Sequence, residues 1–380
     1  MSNFLRRLPL SRLLLLCGLV VALGISATAL ASALGTGPTP PPKPLSEAIH
    51  DAFLAGAGGD QIQGVSANIQ LTDHLFEGAN LTSSGEGGSA AGQLSSSPLL
   101  TGASGRMWIS KEGHVRLELQ SEKGDTEIYY DGHTVQLYDP SSNTLYRYTP
   151  PASEKGAGEG GEASGGSADK HEVPSVAKIE EAVSRAGKHA DISSATPADV
   201  AGQAAYTVRV TPKEGGSLLG GAELSWDAVH GVPLRAAVYS TESSSPALEL
   251  ATTSISYGPV EPSVFEFTPP ANAKVQGIVL PKHHSKSGGP STHSGDHSHV
   301  STFGQGITSV AVLESKSTED SKQTFSTTEE GLQKVEINGI EASELPTELG
   351  TLLSFERSGV RYLLAGALSP SAVEAVAKGL

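Results

Sequence analysis

Short runs in which apolar and polar residues alternate strictly are the feature that most constrains this chain. In residues 65–72 (VSANIQLT) every second side chain is apolar, and residues 115–120 (VRLELQ) and 206–210 (YTVRV) repeat the pattern. This alternation is typical of a β-strand with one buried face and one solvated face. Turn signals such as Asp131-Gly132 separate the runs. The sequence therefore predicts a large antiparallel sheet.

Two short helical patterns interrupt the strands. One spans residues 45–53, with Phe53 on its apolar stripe, and the other begins near Pro174-Ser175. Because the helices lie between strands and do not alternate with them one for one, the pattern argues against a parallel α/β fold. We expect a mainly β fold with nine or ten antiparallel strands over residues 45–280. A one-sided sheet of that size curls on itself, and two helices over its concave face would enclose an apolar pocket.

The inward-facing strand residues are the candidates for lining such a pocket. Both tryptophans are among them, and each could equally serve core packing, because core and pocket both demand an apolar inward face. The candidate lipid-binding residues are Val65, Ile69, Leu71, Trp108, Val115, Leu117, Val135, Leu137, Val208, Val210, Leu224 and Trp226.

Composition shifts divide the chain into five parts. A chain with 44 Gly and 23 Pro has long stretches that do not pack a core, such as residues 78–105 and 151–170. The predicted parts are a leader (1–31), a Pro-rich linker (32–44), the β domain (45–280), a linker rich in His, Ser and Gly (281–302) and a small α+β domain (303–380).

The N-terminus predicts export. Arg6, Arg7 and Arg12 precede an uncharged, largely apolar stretch from Leu13 to Leu34, which is typical of a signal peptide cut near Ala31. The stretch is also long enough to remain as an uncleaved membrane anchor. Either outcome places the body outside the cytoplasm. The only cysteine, Cys17, lies in this stretch, so cleavage would leave no thiol for disulfides or catalysis.

Charge and motifs exclude several functions. A formal charge of −15 repels phosphate backbones, so we expect no nucleic-acid partner, and any membrane contact must be local and apolar. Five histidines lie in the second linker, but without fixed geometry they predict no specific metal site; they are His283, His284, His293, His297 and His299.

The sequence also lacks a catalytic signature. Ser175-Val176-Ala177-Lys178 matches the S-x-x-K pattern, but its companion motifs are missing and Ser175 suits a helix start. No nucleophile elbow, zincin, Walker or dinucleotide motif is present. We therefore expect no enzyme activity and no cofactor.

Three stretches carry a resemblance to a known family, and the earliest runs from Asp131-Gly132 to Leu137-Tyr138-Asp139. Residues 224–235 (LSWDAVHGVPLR) resemble the W-x-D…G-x-P-L-R hairpin of LolA-like lipoprotein carriers and their LppX relatives, and residues 254–270 (SISYGPVEPSVFEFTPP) continue the likeness. The resemblance implies an unclosed antiparallel β-barrel with a helical lid over an apolar cavity. It also implies an exported, monomeric protein that binds the acyl chains of a lipid or lipoprotein.

The C-terminal part suggests an alternative. Residues 359–366 (GVRYLLAG), followed by a helix that Ser369-Pro370 begins, are similar to the end of MucB/RseB-type regulators. Those proteins pair a LolA-like domain with a small C-terminal domain. This likeness implies an envelope-stress sensor that binds a membrane anti-sigma-factor partner.

Overall fold

A computed structural model of the chain describes residues 37–57, 62–76, 102–122, 124–140, 142–149, 173–277, 299–317 and 332–380. The predicted leader with Cys17, segment 151–170 and most of both the Gly/Ser-rich segment and the histidine-rich linker lie outside these residues. Within the described ranges, no helix is long and apolar enough to cross a membrane.

The first sheet has thirteen strands and contains both halves of the predicted β domain. Its order is β13-β6-β5-β4-β3-β2-β1-β12-β11-β10-β9-β7, with β8 paired to β9. The strands are β1 (Gly64–Asp73), β2 (Ala103–Ser110), β3 (Val115–Ser121), β4 (Gly124–Tyr130), β5 (Val135–Asp139), β6 (Thr144–Tyr148), β7 (Ala190–Ile192), β8 (Thr196–Val200), β9 (Gln203–Pro212), β10 (Leu219–Asp227), β11 (Pro233–Ser240), β12 (Pro246–Tyr257) and β13 (Lys274–Gly277).

The sheet is antiparallel at every pairing but one. Only β13 runs parallel to its neighbour, β6. Among the described strands, β13 at one end and β7 at the other pair on one side only, so the sheet is not closed. The predicted fold class, a mainly β and unclosed antiparallel sheet with few helices, is confirmed.

The strand count exceeds the nine or ten that were predicted. The shortest additions are β7, with three residues, and β13, with four, and strands of this length carry no readable alternation. Strand β2 also begins at Ala103, inside the segment that the sequence assigned to a flexible loop.

Two helices associate with one side of this sheet. Helix α1 (Leu45–Ala57) packs against β9 and β10, where Ala48 joins a core with Tyr206 and Trp226. Helix α2 (Val176–Ala186) contacts α1, and the Ser46 hydroxyl donates a hydrogen bond to Glu180 at 3.3 Å. The Pro-rich residues before α1 lie on the sheet, since the Tyr206 hydroxyl donates to the Pro41 carbonyl at 2.6 Å.

Two sequence predictions about the helices meet different outcomes. Ser175 is the N-cap of α2, where its hydroxyl accepts the Lys178 N–H, so the reading of this motif as a helix start is confirmed. Phe53, by contrast, is 52% exposed and does not belong to the buried stripe of α1. The stripe that packs on the sheet consists of Leu45, Ala48, Ile49 and Ala52.

A second, six-stranded antiparallel sheet forms the C-terminal part. Its order is β14-β15-β19-β18-β17-β16, and helix α3 (Pro370–Lys378) covers one face, with Val373 and Ala377 fully buried. The first four residues of its first strand lie in the segment, 281–302, that the sequence assigned to the linker. The strands are β14 (His299–Phe303), β15 (Val310–Lys316), β16 (Gln333–Ile337), β17 (Ile340–Thr347), β18 (Gly350–Arg357) and β19 (Val360–Gly366).

Backbone hydrogen bonds join the two sheets at their ends. The Ala367 carbonyl accepts from the Leu218 N–H and from the Ser217 hydroxyl, each at 2.8 Å. The Leu75 carbonyl accepts from the Glu348 N–H at 2.9 Å. The turns after β1 and before β10 therefore lie against the turns of the small sheet.

Glu344 generates a prediction about the small sheet. It lies opposite Leu353 on the face that α3 covers, is only 2% exposed, and its Oε1 has no hydrogen-bond partner. Burial, and then the charge of Glu374, raise the pKa of Glu344 above its ordinary value of 4.5, against the opposing effect of Lys378. The folded state thus holds the proton more tightly than the unfolded chain, so ionisation costs stability as pH rises through the raised pKa.

We expect Glu344→Gln to raise the stability of the intact chain by about 1 kcal/mol at pH 8 and to leave it unchanged at pH 3.5, measured by thermal unfolding. Glu341→Gln, on the same strand but 75% exposed, is the matched control and should have no effect at either pH. Equal melting temperatures for Glu344→Gln and the unsubstituted chain at pH 8 would contradict the assignment.

The candidate lipid-binding face

Strand register shows where the predicted lipid-binding residues lie. Directly paired residues of neighbouring strands share a face. One such row runs through Leu137, Ile128, Leu117, Met107 and Ala67. We call this side of the first sheet the inner face. All the predicted residues except Trp108 lie on it: Val65, Ile69, Leu71, Val115, Leu117, Val135, Leu137, Val208, Val210, Leu224 and Trp226.

Trp108 lies on the opposite, outer face, so its assignment to the apolar inner set was wrong. It pairs with Ser66 and Arg116, and the Arg116 guanidinium lies 5.7 Å from the centre of its ring. The physical reason is that the outer face is also covered here, because residues 258–277 cross it. Phe267 stacks on Tyr129 with ring centres 4.4 Å apart, and Arg116 donates to the Val264 carbonyl at 3.0 Å.

The inner face is not buried uniformly. Under α1, Trp226 is 5% exposed and Val208 is 9% exposed. A second buried cluster, around Ile69 and Leu119, lies on β1 to β3. Farther along, Val115, Leu117, Val135 and Leu137 are only partly buried. The inner face therefore has a core covered by α1 and an aliphatic region on β3 to β5 that the described residues leave partly open.

Several inner-face residues were missed by the sequence reasoning. Met107 and Ile109 pair with Ala67 and Val65, and Ile128 lies between Leu117 and Leu137. Their signal was present, because Met107 and Ile109 alternate with Trp108, and this alternation places the tryptophan on the other face. Trp108 was assigned to the inner face because it is apolar and aromatic, and not because of its position in the alternation.

Two cavities of the described chain lie beside β1, β2 and β3, and the smaller is lined mainly by polar residues of the outer face, such as Arg106 and Glu118. The larger, about 720 Å³, is bounded by the ends of β1, β2 and β3, with Leu71 and Ala103 beside polar side chains. The smaller, about 400 Å³, has Ile69 and Gly105 in an otherwise polar lining. Neither is lined by the aliphatic residues of β3 to β5.

Asp73 is the titratable group with the most altered environment at the larger cavity. Burial raises its pKa to about 6, although the Leu75 N–H donates to its carboxylate at 2.7 Å and the His74 ring opposes the rise. The hydrogen bond to Leu75 shapes the turn whose carbonyl contacts Glu348. The hydrogen bond between Asp73 and Leu75 therefore places Asp73 at the junction between the two sheets.

Asp227 organises the hairpin between β10 and β11. It is 2% exposed and accepts hydrogen bonds from the Tyr257 hydroxyl (2.6 Å) and from the N–H groups of Val229 (2.7 Å) and His230 (2.8 Å). Burial alone would raise the pKa of Asp227, but these hydrogen bonds outweigh it and hold the pKa below its ordinary value. The His230 ring stacks on Tyr257 at 3.8 Å, which fixes the turn against β12.

This hairpin also holds α1. Gly231 has a positive φ of 67°, and a Cβ at this position would lie 2.3 Å from the carbonyl oxygen of Ala52 in α1. Trp226 and Ala228 pack in the same core as Ala52. The residues that resemble the carrier hairpin thus form the joint between the helix and the inner face.

Within the described part of the chain, no group of three or more His, Cys, Asp or Glu side chains is placed to hold a metal ion. Of the five linker histidines, only His299 belongs to that part, and it lies in β14.

We expect Gly231→Ala to destabilise the chain by about 1–3 kcal/mol, because a side chain needs both a strained backbone and space that the Ala52 carbonyl occupies. Denaturant unfolding measures the loss, and limited proteolysis should show earlier cleavage in α1. Gly202→Ala is the control, since Gly202 has a φ of 75° but no atom within 4 Å of the place where a Cβ would lie. Equal losses in the two variants would show that strain alone, and not helix docking, is involved.

Comparison with known proteins gives one family match. A family model described as "Predicted periplasmic protein (DUF2092)" matches residues 92–157, a stretch that contains β2 to β6. The extracytoplasmic location expected from the leader is confirmed by this match. No curated protein matches the chain in sequence.

Solved structures align with this chain at low identity and with TM-scores below 0.5. MucB in complex with MucA(peri) is 14% identical, with a TM-score of 0.43, over 86% of this chain and 96% of that one. The MucA/MucB complex of Pseudomonas aeruginosa is 15% identical, with a TM-score of 0.42, over 87% and 96%. A putative outer membrane lipoprotein-sorting protein domain from Vibrio parahaemolyticus is 9% identical, with a TM-score of 0.21, over 58% and 95%. Both families that the sequence resembles are thus represented among the structures similar to this chain.

Proposed function

We propose that this chain is an extracytoplasmic, non-enzymatic protein that binds the acyl chains of a lipid or lipoprotein on the inner face of its first sheet, as a carrier in the cell envelope. The observation that carries the proposal is the aliphatic region of β3 to β5. There Leu117, Ile128 and Leu137 form a row on one face of an unclosed sheet and remain partly exposed. A partly exposed apolar row of this kind suits an apolar occupant.

The energetics suit a carrier. Each methylene removed from water contributes about 0.8 kcal/mol, so an acyl chain that buries about ten methylenes gains on the order of 8 kcal/mol before the cost of ordering it. Transfer from a bilayer to the inner face exchanges one apolar environment for another, so its net free-energy change is small. Loading and release would then need no nucleotide hydrolysis, as expected for a non-enzymatic carrier.

Organic extraction of the exported protein, followed by mass spectrometry, tests the proposal directly. We expect a lipid at near one per chain, and uptake of a fluorescent fatty acid by the delipidated protein. The double variant Leu117→Gln/Leu137→Gln should weaken uptake about tenfold or more, because each polar amide forfeits the apolar burial that its leucine supplied.

Trp108→Leu is the control for this experiment. Trp108 occupies the outer face of β2, so its replacement should leave fatty-acid uptake unchanged. An empty extract together with no uptake by the unsubstituted protein would contradict acyl-chain binding. Equal losses in Trp108→Leu and the double variant would contradict the inner face as its location.

A second function, binding of a membrane-protein partner such as an anti-sigma-factor ectodomain, has its own supporting observation. The face of the small sheet opposite α3 carries exposed apolar side chains: Val300 (50%), Leu352 (39%) and Leu363 (38%). Such a face suits a protein partner more than it suits solvent.

If the small sheet binds a partner, Leu352→Asp/Leu363→Asp should abolish co-purification of a membrane protein from cross-linked envelopes while leaving fatty-acid uptake intact. Val275→Asp, at an exposed apolar site of β13 in the first sheet, serves as the control. Identical sets of cross-linked proteins from the double variant and the unsubstituted chain would argue against this function.

A further inference from the structure

Three of the exposed apolar side chains lie on two segments that touch each other. Phe53 (52% exposed) and Leu54 (48%) are in the last turns of α1, and Val229 (64%) is at the turn between β10 and β11. The contact between Ala52 and Gly231 brings the two segments together. We call Phe53, Leu54 and Val229 the apolar tip.

The two described segments that form the tip carry almost no charge. Residues 52–57 (AFLAGA) of α1 contain no ionisable side chain, and residues 228–232 (AVHGV) contain only His230. The His230 ring is 3.2 Å from the Asp227 carboxylate and stacks on Tyr257. On α1 itself, Asp51 is paired with Lys43 at 2.5 Å. The tip is therefore a neutral, apolar surface on a chain of charge −15.

The tip is also continuous with the inner face. Ala52 and Ala228, one in each of its segments, pack in the core that contains Val208 and Trp226. An acyl chain that leaves a bilayer at the tip would meet the edge of this packed core, which is the part of the inner face that α1 covers. A protein or a second copy of this chain could also bind the tip, but neither explains this continuity.

We propose that Phe53, Leu54 and Val229 form the surface that inserts into the headgroup region of a zwitterionic lipid bilayer. Exposed aromatic and aliphatic side chains bind at this depth by burying apolar area, and a neutral surface avoids the repulsion that an anionic membrane exerts on the rest of the chain. A role of this surface in loading cargo rests on the acyl-chain binding proposed above. Its insertion into a bilayer can be measured independently of cargo.

A tryptophan at the tip reports insertion. The test uses Phe53→Trp in the exported chain with vesicles of phosphatidylcholine, some carrying bromine on their acyl chains as a quencher. We expect the added emission of Phe53→Trp to shift to the blue and to be quenched. Phe303→Trp, at a 41% exposed site in β14, is the matched control and should show neither change, even if the leader keeps the protein on the vesicles.

A second set of variants locates the effect. Adding Leu54→Asp and Val229→Asp to Phe53→Trp should raise the lipid concentration for half-maximal quenching at least tenfold, with an unchanged far-ultraviolet circular dichroism spectrum. Absence of quenching in Phe53→Trp overturns the proposal. A blue shift that depends on protein concentration and needs no vesicles also overturns it, in favour of a second copy. Insertion only in native membranes, and not in phosphatidylcholine, would overturn it in favour of a membrane-protein partner.

The same samples separate this proposal from the proposed function. Lipid found by extraction together with no quenching would leave acyl-chain binding in place and reject the tip. Quenching together with an empty extract would retain the tip as a membrane contact and reject the carrier.

Discussion

The pairing of β1 with β12 is the constraint on which the rest of the structure depends. It joins residues 64–73 to residues 246–257 and is the only direct ladder among the described strands between the β1–β6 meander and the strands β7 to β12. Bringing together two strands that are so far apart in the sequence costs conformational entropy, and the local hairpins do not offset this cost. The ladder is long and contains a bulge at Asn68/Ile69, after which Leu71 and Leu250 again share the inner face. Because of this register, the aliphatic row of β3 to β5 and the core under α1 belong to one continuous surface.

The inner face could be predicted from the sequence because it follows from a local rule. Alternation sorts residues such as Leu117 and Val208 to one side of their strands, and antiparallel pairing then brings these sides together without any information on strand order. Trp108 shows that the rule depends on a residue's position in the strand and not on its type. Its neighbours Met107 and Ile109 lie on the inner face, so the side chain of Trp108 lies on the outer face. The covering of the outer face by residues 258–277 could not be predicted, because Phe265 and Phe267 also alternate as a strand would.

The placement of α1 and of the small sheet depended on tertiary contacts. Helical periodicity predicted α1, but this helix has more apolar residues than one face can bury. The side that packs on the sheet is set by the close approach of Gly231 to Ala52, which leaves Phe53 and Leu54 outside the core. Similarly, most of β14 was assigned to a linker, because its five residues gain their structure from the ladder with β15 and not from their own sequence pattern. The buried Glu344 and the partly buried Asp73 could not be predicted from the alternation of apolar and polar residues, because the cost of burying a carboxyl group depends on its surroundings in the fold.

The hairpin that carries the resemblance to lipoprotein carriers has a mechanical role. The Asp227 carboxylate accepts hydrogen bonds from the Tyr257 hydroxyl and from N–H groups of its own turn. Gly231 has no side chain and therefore leaves space for the backbone of α1, and Trp226 packs beneath this helix. These residues therefore identify an architecture, in which a helix is fixed to an open sheet at one end. In the function proposed above, the choice of cargo rests with other residues, the aliphatic side chains of β3 to β5, which offer methyl and methylene groups and no charge. A surface of that chemistry discriminates by length and volume of an apolar chain, and an exported protein meets such chains chiefly in lipids and lipoproteins.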